Sequence, residues 1–579
     1  MASSDPRAPR AIRYQPDESP PVALSLGLGA QYALLCISGI VLTPAVVIRS
    51  AGTGEEYLLW AVFAGLCVCG VSTFIQAVKV GRIGAGYILL MGTSGAFIAV
   101  SVSALVEGGP GLLAALVIAS SLFQFLLASH LSLLRRVITP LVAGTVIMLI
   151  AVTIVPILFE MLANVPEGTP AGGAQACAGA TFITTTALAL LASGAWRLWA
   201  RVIGVGAGCV VASFYGLYDT SMVAAAPWIG LPTTGWPGID LSFDASFWKL
   251  LPLFVLVTIV GAIETIGDAI GIQQVSWREP RATDFRAVQG AVAADGMGNL
   301  LSGLTCTVPN TTYSSSVAIT ELTGVASRSV GVCIGGLFVA AAFIPKLAAI
   351  ILAIPDPVVS AYVLVLLAIL FALGIRIAIK DGLDYRKSVV VGVAFWLGVG
   401  FQNQQIFADS LGEFGASILG NGMTAGGLAA VLMVLAMQAT KPKRLTLKTT
   451  LTAKSLPGVD SFLSEFAEER SWDDESASRL RAAGEEAILS LLPEDEDGES
   501  GDPPKHLLLA LSGDRNAAEM EFMASTAEHN IEDRIALLGR WADQGGEEPI
   551  SLKLLRHYAS SVRHQQYHDI DIVTVRVEN

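Results

Sequence analysis

As far as residue 440 the chain alternates long apolar runs with short loops, many of them basic. Runs able to span a bilayer, or to half-span it as broken helices, lie near 22–48, 57–78, 84–106, 111–130, 138–162, 173–194 and 202–218. After the loop 219–247 a second set runs near 248–275, 288–304, 312–325, 328–345, 357–375, 388–402 and 415–438, several of them short and interrupted by Gly, Pro or Ser. The pattern predicts seven segments followed by seven more. Beyond residue 440 the character changes: 458–492 has helical apolar periodicity, "HLLLALSG" and "DIDIVTVRVE" alternate as strands, and "PEDEDGESGDPP" (493–504) reads as a solvated acidic loop.

Placing the loops alternately on two sides puts Lys79, Arg82, Arg135, Arg136, Arg197, Arg201, Arg278, Arg281, Arg286, Arg328, Arg376, Lys380, Arg386 and Lys387 together, and leaves Arg49, Lys249 and Lys346 opposite. The basic side, with both termini, is then the cytoplasmic one of a cell (inner) membrane, and membrane lipid is the surrounding partner. Two successive sets of odd number must be inverted relative to each other, which places a substrate site at mid-membrane between them. The third segment of each set, "GAGYILLMGTSGAFIAV" (84–100) and "LTCTVPNTTYSSSVAIT" (304–320), is rich in Gly, Ser, Thr or Pro and is expected to break and expose backbone to a cavity. Small-residue helix packing is the alternative.

The 579 residues are 53% hydrophobic and 15% charged, with mean hydropathy +0.61, more apolar surface than one soluble core could hide. The net charge of -13 comes from acids crowded into the last quarter, and no nucleic-acid surface is implied. All seven cysteines lie in or beside apolar segments without paired metal spacing and read as small packing residues. Expected domains are a cytoplasmic arm (1–21), a transporter domain (22–440, repeats about 22–218 and 248–438), a linker (441–457) and a cytoplasmic α+β domain (458–579).

Within the apolar run 248–275, "GAIETIGDAI" carries Glu264 and Asp268, four residues apart and so on one helix face. A charged carboxylate at mid-bilayer costs about 2.5 to 3.5 kcal/mol even on the lenient insertion scale, so this face is expected to meet protein or water. There an acid can accept N–H donors of a polar substrate, carry a proton or help bind a cation. A structural pair bonded to neighbouring hydroxyls is the alternative.

"AIETIGDAI" followed by "DGMGNLLSGLTCTVPNTTYSSSVAITELTGVASRSVG" resembles the nucleobase-ascorbate transporter family, also called nucleobase:cation symporter-2, over residues 22–438. The resemblance implies an all-α polytopic fold of fourteen transmembrane segments in two inverted repeats, with core and gate domains, short strands in segments 3 and 10, and a homodimeric assembly. It implies uptake of a nucleobase coupled to H⁺ or Na⁺, with no enzymatic activity, catalytic residue, cofactor or metal. Glu264 matches the acid that holds the base, and Asp268 a position that is Asp in purine and xanthine permeases, so purines are favoured over uracil. Both would serve ion coupling. Ser94, Gly95 and Ala96 match the strand whose backbone meets substrate. Gln31 and Tyr32 match a Gln-His pair, with the His missing. In segment 10 the family's Gln or Glu followed by Asn gives way to Ser315 and Ser316, and the hydroxyls of Ser314 and Ser315 are expected at the site. Glu321 is an added acid. A related-fold anion transporter and a ligand sensor signalling through the tail are the other readings.

From Phe462 the tail resembles the histidine-kinase-type ATPase fold of anti-sigma-factor kinases. Glu486 keeps the acid of the expected helix, Ser490 stands in place of the metal-binding Asn, and the glycine-rich nucleotide loops are missing, so a degenerate regulatory or dimerising module is expected. The histidines of "RHYASSVRHQQYH" would share a helix face only approximately, and metal binding is not expected there.

Overall fold

The computed structural model describes residues 12–579 apart from 135–138, 167–168, 171, 194, 219, 233–234, 280, 380–381, 403–421, 440–443, 493–504, 525–529, 532–549 and 569. The acidic loop 493–504, His529 and the start of the expected segment 415–438 therefore lie outside the described residues. The chain divides into two compact units, Met1–Arg278 with Ala287–Ala436, and Glu279–Arg286 with Met437–Asn579.

The first unit is helical. It opens with α1 (Val22–Ala51), which stops at Gly52 with φ 67, a left-handed conformation that favours glycine, and continues with α2 (Glu55–Val78). A short strand β1 (Met91–Thr93) precedes α3 (Ile98–Ser129), and Gly109 with Pro110 bends α3 into the two spans expected at 84–106 and 111–130. There follow α4 (Pro140–Ala163), α5 (Gly173–Leu191), α6 (Ala195–Phe214) and α7 (Ala245–Gln274), the last capped by Asp244, whose carboxylate accepts the Phe247 N–H at 3.0 Å.

The later elements are α8 (Phe285–Leu304), strand β2 (Asn310–Thr312), α9 (Ser315–Thr323), α10 (Arg328–Ala342), α11 (Pro345–Leu352), α12 (Asp356–Ala378), α13 (Tyr385–Gln402) and α14 (Gly422–Ala439). Among the described residues seven helices are long and apolar enough to cross a membrane, or eight if α10 and α11, bent by 82°, form one span. Expected segments outside that set have physical reasons: α9 is only nine residues long, and α8 carries Gln289, Asp295 and Asn299 on a face buried in protein. The molecule is thus a mostly helical, multi-pass membrane fold. Its core joins Ile40, Phe97, Phe254, Phe338 and Val358, whereas Leu190, Leu191, Phe214 and Trp396 are exposed, as lipid contact requires. α4 and α12 approach so closely that a Cβ at Gly144 would lie 2.4 Å from the Gly374 carbonyl oxygen.

Residues 12–21 pack against this unit. Tyr14 bridges to Val325, and the Arg278 guanidinium donates to both carboxylate oxygens of Glu18 at 2.7 Å.

The second unit is built on an antiparallel sheet in the order β3-β4-β5-β7-β6: β3 (Leu445–Thr450), β4 (His506–Gly513), β5 (Ala517–Ala524), β6 (Ser561–Gln566) and β7 (Asp571–Glu578). Helices α15 (Leu456–Glu469), α16 (Asp474–Leu489) and α17 (Ile550–Tyr558) share with it a core of Leu463, Phe466, Leu480, Leu555, Phe522 and Val573. One expectation is corrected. Within the linker 441–457, Leu445–Thr450 form strand β3 and residues 456–457 begin α15, because Leu445 and Leu447 alternate with polar residues and pair with β4. The histidines are not on one helix: His557 ends α17, His564 lies in β6 and His568 follows it. The loop 279–286 belongs to this unit, with the Phe285 and Tyr567 rings 5.2 Å apart.

Candidate functional site

Two interrupted segments meet in the first unit. β1 and β2 pair antiparallel, Met91 with Thr312, Gly92 with Thr311 and Thr93 with Asn310, and each strand leads into a helix, α3 through the turn Gly95–Phe97 and α9 through Tyr313 and Ser314. The Gly-Thr-Ser and Pro-Asn-Thr-Thr sequences make this possible: short or β-branched residues satisfy one another's backbone where a helix stops in the apolar interior. The pair is fastened on all sides. Thr93 Oγ1 donates to the Gly39 carbonyl at 3.1 Å, the Leu90 N–H donates to Ser316 Oγ at 2.9 Å, and the Tyr313 hydroxyl donates to the Thr93 carbonyl at 3.1 Å. Gly92 is required under the Tyr313 ring, since a Cβ there would lie 2.0 Å from Cζ.

Beside this crossing lies a cavity of ≈ 430 Å³, within the range of small-molecule sites. It is lined by Cys36 and Gly39 of α1, Thr93 to Ala96, Glu264 of α7, Thr311 with Tyr313 to Ser315, Arg201 of α6, and Tyr362, Leu366 and Arg376 of α12. Of the residues expected at a site, Glu264, Ser94, Gly95, Ala96, Ser314 and Ser315 are thus brought together. Glu264 makes no hydrogen bond or ion pair among the described residues, and the buried Ser94 hydroxyl is equally without a partner. Gly95 has open space where a side chain would begin.

Other expected residues sit elsewhere. Asp268 is buried and accepts the Thr312 hydroxyl at 2.7 Å, outside the cavity lining. Gln31 and Tyr32 are not in the lining either; α1 turns Cys36 and Gly39 toward the cavity instead, while Tyr32 is fully buried in the core. Ser316 ties β1 to α9, and Glu321 is exposed away from the cavity.

The sequence reading missed a further buried acid, Asp295 on α8. It is fully buried, and its Oδ2 accepts Gln124 Nε2 and Thr265 Oγ1, each at 2.8 Å. The network continues from Asn299 Nδ2 to Gln124 Oε1 at 2.9 Å and from the Asn310 N–H to Asn299 Oδ1 at 2.8 Å, so Asp295 is linked through Gln124 and Asn299 to the first residue of β2. Asp295 Oδ1 has no partner among the described residues. An acid in mid-segment was the available signal, the same one that marks Glu264.

The model of the permease family, that of the xanthine and uracil permeases, matches residues 24–407. The chain belongs to this permease family. A Clostridium perfringens protein named as a purine permease is 31% identical over 411 residues, 70% of this chain and 88% of that protein. The xanthine permease of Escherichia coli K12 is 27% identical, covering 73% of this chain and 94% of the relative. A uric acid permease of Bacillus subtilis is 26% identical, covering 73% and 97%. As a xanthine/uracil-type permease, the protein is a transmembrane transporter and not an enzyme. The match ends before the second unit.

Proposed function

We propose that this permease moves a nucleobase, of purine or xanthine type rather than uracil, into the cytoplasm together with a cation, in first instance H⁺. The observation that carries this reading is Glu264: a carboxyl group without an internal partner, facing a cavity of ≈ 430 Å³ beside the paired strands. A carboxylate in such a place needs a counterpart, and the N–H edge of a base or a proton supplies one. Ser94, Ser314 and the turn at Gly95 and Ala96 offer short donors and acceptors for the remaining edges. Asp268 is held by Thr312 of β2, next to the strand crossing, which suits a role in coupling rather than in holding the base. The names of the relatives, a purine, a xanthine and a uric acid permease, support the substrate class.

Two inverted seven-segment repeats, a homodimer, and both termini in the cytoplasm complete the proposal, the last resting on the distribution of Lys and Arg among the loops. The tail is proposed as a degenerate, regulatory relative of the kinase-type ATPase domains. The test is uptake of radiolabelled xanthine, urate, guanine, hypoxanthine and uracil by cells lacking their own permeases, with and without a protonophore. Protonophore-sensitive uptake of a purine supports the reading; no uptake of any base by well-expressed protein rejects it.

A further inference from the structure

Arg201 was counted with the basic loops in the sequence, yet it stands within α6, six residues after Ala195, and lines the same cavity as Glu264. It also lines a smaller adjoining cavity of ≈ 170 Å³ that shares Leu35, Cys36, Ser315 and Tyr362 with the first. Among the described residues it makes no hydrogen bond and no ion pair. Arg201 is exposed, and its always-charged guanidinium presents five donors in a planar fork that a ligand in the cavity can meet. Snorkelling to headgroups is the ordinary fate of an arginine near a helix end, but this side chain borders two cavities.

The surroundings reinforce the charge. Arg376 of α12 lines the larger cavity and is likewise without a hydrogen bond or ion pair among the described residues. Arg197, one turn before Arg201 and on the same helix face, lines the smaller cavity. Glu264 is the one acid among the lining residues of the larger cavity, and the smaller has none. Two arginines against one acid in the larger cavity leave an excess of one positive charge, continued by Arg197 next door. A low-dielectric cleft of that sign concentrates anions. The neighbours on the side of α1 and α9 are short, Cys36 and Ser315, and leave the guanidinium access to the space between the walls.

We propose that Arg201 makes this transporter selective for anionic substrates: a planar heterocycle that offers N–H donors to Glu264 on one edge and a deprotonated ring edge or a ring carboxylate to the guanidinium on the other. The proposal rests on the nucleobase reading above and narrows it to a charged class. A carboxylate or a deprotonated imide presents two acceptors that match the fork, and Arg376 and Arg197 mark the route along which the charge is drawn in.

The test uses two matched pairs, hypoxanthine with urate and uracil with orotate, each at neutral pH, where the second member is an anion. Uptake kinetics are measured for the full-length wild type, Arg201→Gln and Arg201→Lys. The expected result is a higher kcat/KM for the anionic member of at least one pair in the wild type. The anion-to-neutral ratio then falls by about tenfold or more in Arg201→Gln and by less in Arg201→Lys, which keeps the charge and loses the fork. Because a ratio is read, a lower amount of protein in the membrane does not mimic the effect; if Arg201→Gln does not assemble, the Arg201→Lys ratio carries the test. An unchanged ratio in the variants, or a wild type that prefers the neutral member of both pairs, overturns the role of Arg201 while leaving nucleobase transport in place. A wild type that takes up none of the compounds overturns the nucleobase reading itself and the inference with it.

Discussion

Glu264, Asp268 and Asp295 are three acids set into apolar helices, and their surroundings give them different work. Glu264 faces the cavity without a partner, so Glu264→Gln is expected to insert normally and to abolish coupled accumulation; wild-type accumulation by this variant would remove Glu264 from the mechanism. Asp295 is tied to Gln124 and Thr265, and Asp295→Ala leaves two buried donors unmatched at about 1–3 kcal/mol each, whereas Asn at that position keeps one oxygen for them. The expected readout is a lower thermal midpoint of the detergent-solubilised protein for Ala than for Asn, and equal midpoints would deny the network that weight. Glu264 was legible because an acid in an apolar run is costly wherever it lies. Its position in the cavity wall, and the placing of Gln31 and Tyr32 away from it, depend on the rotation of α1 and α7 about their own axes, which hydropathy does not encode. That Arg201 lines the cavity was not legible for a related reason, since a basic residue near a segment end looks the same whether it points to headgroups or into a cavity.

At the scale of elements the pairing of β1 with β2 is what makes the site, and it depends on Gly92 lying flat under Tyr313. Gly92→Ala forces the ring aside, and a loss of about 1–3 kcal/mol is expected from such overpacking, seen as a lower thermal midpoint. Tyr313→Ala combined with it restores part of the loss; if Gly92→Ala alone leaves the midpoint unchanged, the crossing is looser than described. That segments 3 and 10 would break was legible in their Gly, Ser, Thr and Pro content, and so were strands β4 and β7 in their alternation. The register between β1 and β2 was not, because it is set by contacts with Gly39, Ser316 and Tyr313, which are distant in sequence from at least one of the two strands. Strand β3 was overlooked as linker although "LTLKTT" alternates, because one short strand is marginal until β4 supplies its partner.

At the scale of the molecule, a membrane-spanning unit that belongs to the xanthine/uracil permeases is followed by a second unit with its own core. The second unit carries a pH-sensitive element of its own. Burial, with the Arg286 charge adding to it, lowers the His564 pKa from 6.5 to about 4, and its Nδ1 accepts the Ile531 N–H at 3.0 Å, which only the neutral ring can do. The unfolded chain therefore takes up a proton that the folded unit refuses, and stability that is full above pH 6.5 falls as the pH drops toward 4, by up to about 1.4 kcal/mol per pH unit. Hydrogen exchange of β6 and β7 in the full-length protein, corrected for intrinsic rates, should lose protection between pH 7 and pH 5, and a His564→Asn variant should lose less; equal losses would contradict this origin. The central claim concerns the other unit, and its most direct test is made in liposomes. Purified full-length protein is reconstituted, an inward proton gradient is imposed, and accumulation of radiolabelled xanthine and urate is followed for the wild type and Glu264→Gln. The account predicts accumulation above equilibrium in the wild type, collapse with a protonophore, and none in Glu264→Gln; uptake that merely equilibrates whatever the gradient, or a Glu264→Gln variant that accumulates like the wild type, would contradict it.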